Sequence, residues 1–485
     1  MTTALRRSLL IMIALTMINS FLIMTIRPAG AEPERGLEWV DCADGLQCAT
    51  MPAPLDWRHP DGPSTPIELG RLPALDQAAK RGTLLVVTGG PAPTLPVLRA
   101  VPELFADLRK SYDLVGVDPR GIGEQHHYAC PNGIGTSAFA SDLSRAAWQR
   151  FAERNAAWDA ACRRDTDPVV DHLNAWQVAH DLEAVRVALD LPDLTYYGNS
   201  YGTVYGQAYA ELFPRTVGRM VLDSVVDHTR TGLAALSKER ALRIEQAFAD
   251  HARWCATTST CALHGRDVRL AWDALMAKAA EHPVPAPSAG PGVTVTADEI
   301  RLFTVLSVDQ LPGSPSWSAL AEAIVAAEHG DAAAFRYDDS PHDVVINRYA
   351  NCADFPLPQT YDDYRAAERR LRAVAPRLGW LQPRLDFARC VGLTIIDPYR
   401  PHRLRAPGLP PVLLLGGTAD SATPVADGRR VARQLPGSGF VTAVGSYHGV
   451  YLRGNRCARD QVHRYLATGK VPARSLTCPA EPGAG

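Results

Sequence analysis

The sequence predicts an α/β protein whose mostly parallel sheet has helices on both faces and is interrupted by a helical insertion. Three observations lead to this prediction. Short apolar runs alternate with helically spaced stretches between residues 82 and 226. The alternation then stops, and residues 231–385 read as helices joined by irregular segments. Strand-like runs return near residue 411. Strand–helix alternation of this kind is typical of a parallel sheet with helices on both faces.

Four apolar runs predict the first part of the sheet. They are Thr83–Val87, Leu114–Val117, Thr195–Tyr197 and Met220–Leu222. Helical spacing of apolar side chains predicts the helices around them, over Pro96–Ser111, Ala175–Leu191 and Thr203–Phe213. Two further strands are predicted after the insertion, at Pro411–Leu415 and Phe440–Val444.

Two helix-start signals lie within the predicted insertion. Ser237 is positioned to cap a helix that runs to Trp254, and Thr296 with Glu299 has the spacing of a capping box. The predicted boundaries are 37–230 and 386–480 for the two parts of the α/β core, and 231–385 for the helical cap insertion.

Residues 1–31 have the features of a secretory signal peptide. Arg6 and Arg7 precede an uncharged stretch from Leu9 to Ile26, and Ala29-Gly30-Ala31 provides a cleavage site. An uncleaved anchor is the alternative, and the arginine pair leaves both general secretion and twin-arginine export open. We expect a secreted, extracellular protein with no stable membrane association after cleavage.

The ten cysteines, all after residue 31, fit this expectation, because an even cysteine count in an exported chain is typical of disulfides. No pair has the C-x-x-C spacing of many zinc and redox sites. We predict sequential pairing, which gives Cys42–Cys48, Cys130–Cys162, Cys255–Cys261, Cys352–Cys390 and Cys457–Cys478.

Composition excludes several classes of function. Lysine and arginine total 50 against 52 acidic residues, for a net charge of −2, which argues against a nucleic-acid partner. No H-E-x-x-H motif, phosphate-binding loop or dinucleotide fingerprint is present. We therefore expect no metal and no cofactor, and the sequence leaves the oligomeric state open.

The segment Gly198-Asn199-Ser200-Tyr201-Gly202 provides a candidate nucleophile. It follows a predicted strand and opens a predicted helix, and this sharp turn needs small residues two before and two after the serine. The turn holds the Ser200 hydroxyl above the sheet. The alternative is a glycine-rich turn with a surface serine.

A serine hydroxyl needs a base to activate it, and the base needs an acid to orient it. Asp420 follows one late strand and His448 follows the next, in the chain order that such a turn requires. Thr423 is placed to hydrogen-bond the Asp420 carboxylate, although a plain turn role is equally compatible. His126, His127, His180 and His463 are better explained as surface or core residues.

A developing oxyanion needs two hydrogen-bond donors. The backbone N–H of Tyr201 is one candidate, and the loop beginning Gly89-Gly90 supplies the other, from Gly90 first and Gly89 second. Pro91 has no N–H and cannot contribute.

Taken together, these residues resemble the secreted tripeptidyl aminopeptidase family of α/β-hydrolases, which is similar to the proline iminopeptidases. The resemblance spans nearly the whole mature chain and is carried by Cys48-Ala49-Thr50, Pro54-Leu55-Asp56-Trp57, Gly89-Gly90-Pro91, Asp118-Pro119-Arg120-Gly121, Tyr197–Gly202, Val221-Leu222-Asp223, Cys352-Ala353-Asp354, Asp420-x-x-Thr423-Pro424 and His448-Gly449. It implies an α/β-hydrolase fold and a serine exopeptidase that releases short peptides, typically tripeptides, from free N-termini.

Two departures from the family pattern keep other functions open. Ala92 and Pro93 stand where members usually have two glycines, and Thr88 stands where proline is common. An esterase or amidase acting on small acyl substrates is therefore the alternative, and a catalytically silent binding protein is a third reading.

An aminopeptidase must also bind a free ammonium, which requires a carboxylate near the insertion. The sequence does not rank the candidates, which are Asp354, Asp309, Asp338 and Asp339.

Overall fold

The computed structural model describes residues 37–123, 126, 130, 144–165, 168–231, 233–309, 313–336, 345–356, 360–381, 390–472 and 475–481. The predicted signal peptide, His127, Asp338 and Asp339 lie outside these residues. From Glu38 onward the chain forms one unit.

A ten-stranded sheet is the centre of the fold. Its strands, in chain order with β8 and β9 omitted, are β1 Val40–Ala43, β2 Leu46–Pro54, β3 Ser64–Leu72, β4 Gly82–Val87, β5 Tyr112–Val117, β6 Leu194–Asn199, β7 Val217–Asp223, β10 Leu413–Gly417, β11 Gly439–Ala443 and β12 Leu476–Cys478. The spatial order is β1-β2-β3-β5-β4-β6-β7-β10-β11-β12. Strands β4 to β7 and β10 to β12 are parallel, whereas β1 to β3 join antiparallel. A short pair, β8 Val284–Pro285 and β9 Thr294–Val295, stands apart.

The helices of the described chain are α1 Leu95–Ala100, α2 Ala106–Arg109, α3 Arg145–Asp165, α4 Ala175–Ala188, α5 Gly202–Leu212, α6 Leu233–Thr257, α7 Val268–Glu281, α8 Ala297–Val308, α9 Pro315–Glu328, α10 Val345–Asp354, α11 Tyr361–Arg372, α12 Val425–Ala432 and α13 Arg456–Thr468. Short 3₁₀ helices lie at Pro102–Phe105, Pro168–Asp171, Pro287–Ala289, Ala333–Phe335 and Gly379–Leu381.

Alternating side chains of the central strands bury themselves on opposite faces of the sheet. Leu84 and Val86 of β4 belong to a core cluster that also contains residues of α1 and α13. On the other face, Gly206 of α5 lies so close to Leu222 and Tyr196 that a Cβ there would come within 2.6 Å and 2.9 Å of their side chains. The predicted arrangement of helices on both faces is confirmed.

The insertion has a hydrophobic core of its own. Buried side chains from residue 241 to residue 381 form one cluster, which includes residues of α6 to α9 and of the Gly379–Leu381 turn. The β7 and β10 strands pair directly, so the chain leaves the sheet after Asp223 and returns at Leu413 beside the strand it left.

Local predictions held where the pattern was simple and failed where a proline or a neighbouring element intervened. The single helix predicted over Pro96–Ser111 is wrong: α1 ends at Ala100, and Pro102 begins a 3₁₀ turn that leads into α2. The predicted cap at Ser237 is also wrong, because α6 begins at Leu233 and Ser237 is buried within it. The capping box of Thr296 and Glu299 is confirmed, with both reciprocal hydrogen bonds present.

The disulfides follow the predicted sequential pairing in all five cases. Cys352–Cys390 joins α10 to the chain that follows the insertion. Among the helices that the structure describes, none combines the length and the apolar character needed to span a bilayer.

Candidate active site

Ser200 lies in the sharp turn between β6 and α5. Its φ of 52° is a left-handed conformation that non-glycine residues rarely adopt, and such strain is typical of a functional turn. The flanking glycines are required by close packing: a Cβ at Gly198 would fall 2.6 Å from the Gly202 carbonyl oxygen, and one at Gly202 would fall 3.0 Å from the Val87 carbonyl carbon. The turn therefore has the geometry that the Gly198–Gly202 pattern predicts.

Asp420 and His448 lie in the loops after β10 and β11, and their side chains are in contact. His448 Nδ1 is 3.2 Å from Oδ1 and 3.1 Å from Oδ2 of Asp420. Because an ionised carboxylate can only accept, Nδ1 carries the proton and Nε2 is left as the basic nitrogen. Asp420 is 3% exposed, whereas the His448 side chain is 39% exposed. The imidazole therefore faces solvent while its carboxylate partner does not.

Further hydrogen bonds fix the Asp420 carboxylate. The backbone N–H groups of Ala422 and Thr423 donate to Oδ1 at 3.0 Å and 2.9 Å, and the Thr423 hydroxyl donates to Oδ2 at 2.7 Å. Thr423 thus makes the hydrogen bond that its spacing from Asp420 suggested.

The charges around His448 favour its protonated form. Burial disfavours the imidazolium, but the hydrogen bond and the negative charge of Asp420 outweigh it and raise the pKa of His448 above its ordinary 6.5. Asp223 acts in the same direction, and the positive charge of Arg240 on α6 opposes it. An imidazole with a raised pKa is a stronger base for a serine proton.

The end of β7 joins the Ser200 turn to the His448 loop. Ser200 N donates to the Asp223 carbonyl oxygen at 2.9 Å. The Asp223 carboxylate accepts the backbone N–H groups of Val450 and Tyr451, each at 2.8 Å, and the Ser224 hydroxyl accepts the Gly449 N–H at 2.7 Å. Both candidate catalytic segments are therefore anchored on the same two residues.

This anchoring role of Asp223 was not predicted. The segment Val221-Leu222-Asp223 contributes to the family resemblance, but a strand-end aspartate has no periodicity that reveals its partners. Asp223 is fully buried, and burial raises its pKa even though Tyr197 donates a hydrogen bond to it at 2.7 Å.

The predicted oxyanion loop lies against the nucleophile turn. A Cβ at Gly89 would fall 2.7 Å from Ser200 Oγ and 3.0 Å from Tyr201 N. Asp118 holds the far end of the loop, because its carboxylate accepts the backbone N–H groups of Thr94 and Leu95. The assignment of Gly90 and Tyr201 as donors stays a prediction, with Gly89 in closer contact with Ser200 than the sequence suggested.

A cavity of about 210 Å³ opens beside His448 and Asp420. The insertion contributes Asp309 and Trp317 to its wall, together with Arg243, Ala247, Asp250 and Val308. Trp317 is 2% exposed, and its indole N–H has no acceptor among the described residues. The cavity thus combines an aromatic wall with charged groups, as expected of a ligand site.

The structure distinguishes between two of the candidate ammonium-binding carboxylates, Asp354 and Asp309. Asp354 is fully buried, and both of its oxygens already accept hydrogen bonds, so it offers nothing to a substrate. Asp309 lines the cavity beside His448. Its Oδ1 is buried without a hydrogen-bond donor in the described part of the chain, and Oδ2 is 3.7 Å from Arg240.

The other described histidines have structural contacts away from Ser200. His126 lies 3.4 Å from the Pro66 carbonyl oxygen, His180 lies 2.8 Å from that of Trp176, and His463 lies 2.8 Å from the Tyr451 hydroxyl. The described residues contain no group of three or more His, Cys, Asp or Glu side chains arranged to hold a metal ion.

Known proteins with similar sequences are tripeptidyl aminopeptidases and other hydrolases. A family model described as "TAP-like protein" matches residues 382–478, the segment that carries Asp420 and His448. The tripeptidyl aminopeptidase of Streptomyces lividans is 27% identical over 91% of this chain and 86% of its own length. The chain is therefore similar to the tripeptidyl aminopeptidases over most of its length, and its fold is that of an α/β-hydrolase.

Other relatives of this hydrolase have different names. Serine protease Hip1 of Mycobacterium tuberculosis is 28% identical, with 97% of this chain and 98% of that protein covered. Carboxylesterase B of the same organism is 29% identical, with coverage of 89% and 86%. Among solved structures, the proline iminopeptidase of Mycobacterium smegmatis matches with a TM-score of 0.39 at 14% identity, covering 86% of this chain and 97% of that one. The resemblance to the tripeptidyl aminopeptidases is confirmed.

Proposed function

We propose that this hydrolase is a secreted serine aminopeptidase that releases short peptides, such as tripeptides, from free N-termini. The observation that carries the proposal is the hydrogen-bonded Asp420–His448 pair, because the loop that carries His448 is anchored on the same strand end as the Ser200 turn. The relatives named tripeptidyl aminopeptidase and serine protease support the peptidase reading.

The proposed reaction uses the three side chains in turn. His448 Nε2 takes the hydroxyl proton as Ser200 Oγ attacks the substrate carbonyl, and the N–H groups of Tyr201 and Gly90 stabilise the oxyanion. His448 then gives that proton to the leaving amine as the C–N bond breaks, which leaves an acyl-enzyme. Water, deprotonated by His448, attacks the ester, and the proton returns to Ser200 as the peptide acid departs.

The first test replaces the nucleophile. We expect Ser200→Ala to keep the thermal unfolding midpoint and to lose both turnover and labelling by a serine-reactive phosphonate. The intact Asp420–His448 pair should still titrate in the variant, which separates loss of chemistry from loss of fold. Wild-type turnover in Ser200→Ala would contradict the assignment.

Asp309 is the carboxylate that we assign to the substrate ammonium. It lines the cavity beside His448 and has a buried oxygen that lacks a hydrogen-bond donor in the described part of the chain. An unpaired buried acceptor costs free energy, and a charged N–H donor from the substrate would relieve that cost. An esterase acting on neutral acyl groups would gain nothing from this carboxylate.

The second test compares a tripeptide anilide that has a free amine with its N-acetyl form. A hydrogen bond to a charged group contributes about 1.5–3 kcal/mol, so Asp309→Asn should lower kcat/KM for the free amine by roughly 10- to 150-fold and change the N-acetyl substrate little. Asp250→Asn is the matched control, since Asp250 lines the same cavity with its oxygens already paired to Arg243, Gln246 and Arg253.

The esterase alternative predicts a different pattern. It is favoured by Ala92 and Pro93 in the oxyanion loop and by the relative named Carboxylesterase B. Equal rates for the two anilides in the wild type, together with faster cleavage of short acyl esters, would establish the alternative and rule out the aminopeptidase.

Secretion is part of the same proposal. The five disulfides support it, because such bonds persist in oxidising compartments. We expect the mature protein in culture medium to begin at Glu32, which N-terminal sequencing would show. Retention of residues 1–31 on a membrane-bound protein would instead support the uncleaved anchor.

A further inference from the structure

Asp354, the last residue of α10 within the insertion, contacts the turn that carries Ser200. It is fully buried, and its Oδ2 accepts the Tyr201 hydroxyl at 2.7 Å. The same hydroxyl is 3.3 Å from the Ala350 carbonyl oxygen, one turn earlier in α10. Tyr201 directly follows Ser200, so this contact reaches the residue whose backbone N–H is a proposed oxyanion donor.

The other contacts of Asp354 hold it in place. Its Oδ1 accepts the backbone N–H of Ala175 at the start of α4, at 2.7 Å, and its own carbonyl oxygen lies 2.8 Å from His228 Nε2. The Cys352–Cys390 disulfide fixes the helix two residues earlier. The Tyr201 hydroxyl is therefore hydrogen-bonded to a carboxylate whose own position is fixed.

This carboxylate is costly to bury. Both hydrogen-bond donors recorded for it within the described residues are neutral, and burial raises the pKa of Asp354 to about 7 in spite of them, with the negative charge of Asp397 adding to the rise. The hydrogen bond to this buried carboxylate fixes the position of the Tyr201 side chain. The Tyr201 ring is also packed edge-on against Tyr205 and Phe355, at 5.4 Å and 6.3 Å.

We propose that Asp354 is a positioning residue for catalysis, which acts by accepting the Tyr201 hydroxyl and so fixing the Tyr201 backbone N–H against the oxyanion. When the hydroxyl of Tyr201 is held as well as its backbone, the peptide plane that carries the N–H cannot rotate. Without the hydrogen bond to Asp354, the ring can tilt and the peptide plane can rotate with it. The inference rests on the proposed role of Ser200 but not on the choice of a peptide or an ester substrate.

The test is a double-mutant cycle with Asp354→Ala and Tyr201→Phe, assayed on an aryl acetate ester and on a tripeptide anilide. Rates are expressed per active site, counted by exhaustive phosphonate labelling, so that misfolded protein does not contribute. We expect each single variant to lower kcat by roughly 10- to 100-fold, below the loss for complete removal of an oxyanion donor, with KM changed less than about threefold. The double variant should be no slower than the worse single variant, because both changes break one interaction.

Two matched controls separate positioning from packing. Tyr205→Phe removes a buried hydroxyl of α5, the helix that begins directly after Tyr201, and this hydroxyl has no hydrogen-bond partner among the described residues. Glu368→Gln changes a carboxylate of α11 that is 1% exposed and pairs with Arg365 and Arg372. We expect both controls to keep the wild-type kcat per active site.

Each outcome has a distinct meaning. Wild-type kcat in Asp354→Ala and Tyr201→Phe, or losses that multiply in the double variant, would overturn the inference. If Asp354→Ala lowers only the number of titrated sites, Asp354 is merely structural and the inference also fails. Turnover surviving in Ser200→Ala would instead overturn the proposed function, so the two failures are distinguishable.

Discussion

Replacing Asp420 by asparagine tests the proposed proton transfer most directly, because the surrounding hydrogen bonds dictate how the new amide must lie. The Oδ1 position accepts two backbone N–H groups, from Ala422 and Thr423, and so must keep an oxygen. The amide NH₂ is then forced into the Oδ2 position, which faces the Thr423 hydroxyl and His448 Nδ1. Nδ1 must therefore accept a hydrogen bond, and the imidazole proton moves to Nε2.

With its proton on Nε2, the imidazole cannot take a proton from Ser200. The expected loss of kcat follows from this. A triad carboxylate changed to an amide with its geometry intact lowers kcat by about 10⁴-fold, and we expect a loss of that order in Asp420→Asn. The pH profile should change as well. In the wild type the raised pKa of His448 places the acid limb of kcat/KM above pH 6.5, since only the neutral imidazole is a base. Without the negative charge of Asp420, the lowering effect of burial prevails and the limb moves to lower pH.

The assay is a pH–rate profile of kcat/KM on an aryl ester, with thermal unfolding measured in parallel. An Asp420→Asn variant that folds and keeps a rate within tenfold of the wild type would refute the reasoning. An acid limb that stays at its wild-type position would also refute it, because it would mean that Asp420 does not control the ionisation of His448.

Three further predictions concern neighbouring features. Thr423→Val removes the 2.7 Å hydrogen bond to Asp420, a net contribution of about 0.5–1.5 kcal/mol, so kcat/KM should fall about 2- to 12-fold with little change in the unfolding midpoint; an unchanged rate would show that the backbone donors suffice. Gly89→Ala places a methyl group 2.7 Å from Ser200 Oγ, and we expect kcat on an aryl ester to fall by about 10²–10³, as for a lost oxyanion donor; near-normal turnover would place the oxyanion elsewhere. Changing Cys352 and Cys390 together to alanine opens a loop of sequence separation 38 and should lower the free energy of unfolding by about 4 kcal/mol, measured by urea denaturation; an unchanged midpoint would contradict the entropic argument.

The sequence was informative wherever one residue type or one period determines the structure. The apolar run at Thr83–Val87 could only be a buried strand, and β4 spans Gly82–Val87. The Gly198–Gly202 pattern specified a turn because any larger side chain would collide with Gly202 or Val87, and this is what the backbone shows. Sequential pairing of the cysteines also predicted the disulfides, although only Cys42–Cys48 and Cys255–Cys261 close short loops.

Features that depend on contacts between distant parts of the chain could not be predicted from the sequence. The strands β1, β2 and β3 were not predicted, because polar residues interrupt their apolar side chains and leave no uniform apolar run. No local pattern shows that Asp223 accepts N–H groups from Val450 and Tyr451, more than two hundred residues later.

The same limit applies to the carboxylates. No sequence pattern distinguishes Asp354 from Asp309. In the structure, Asp354 is buried and accepts a hydrogen bond from Tyr201, whereas Asp309 lines the cavity beside His448. Their different environments come only from how the insertion packs on the sheet.

The direct pairing of β7 with β10 has a consequence for when activity begins. The nucleophile turn is complete once β4, β6 and β7 have assembled, but the proposed base and its carboxylate arrive only when β10 and β11 add to the open edge. The insertion has its own core and can fold after β7 has formed and before β10 is added. In the proposed mechanism, Ser200 therefore has no base until β10 and β11 have joined the sheet, so activity begins only after that step.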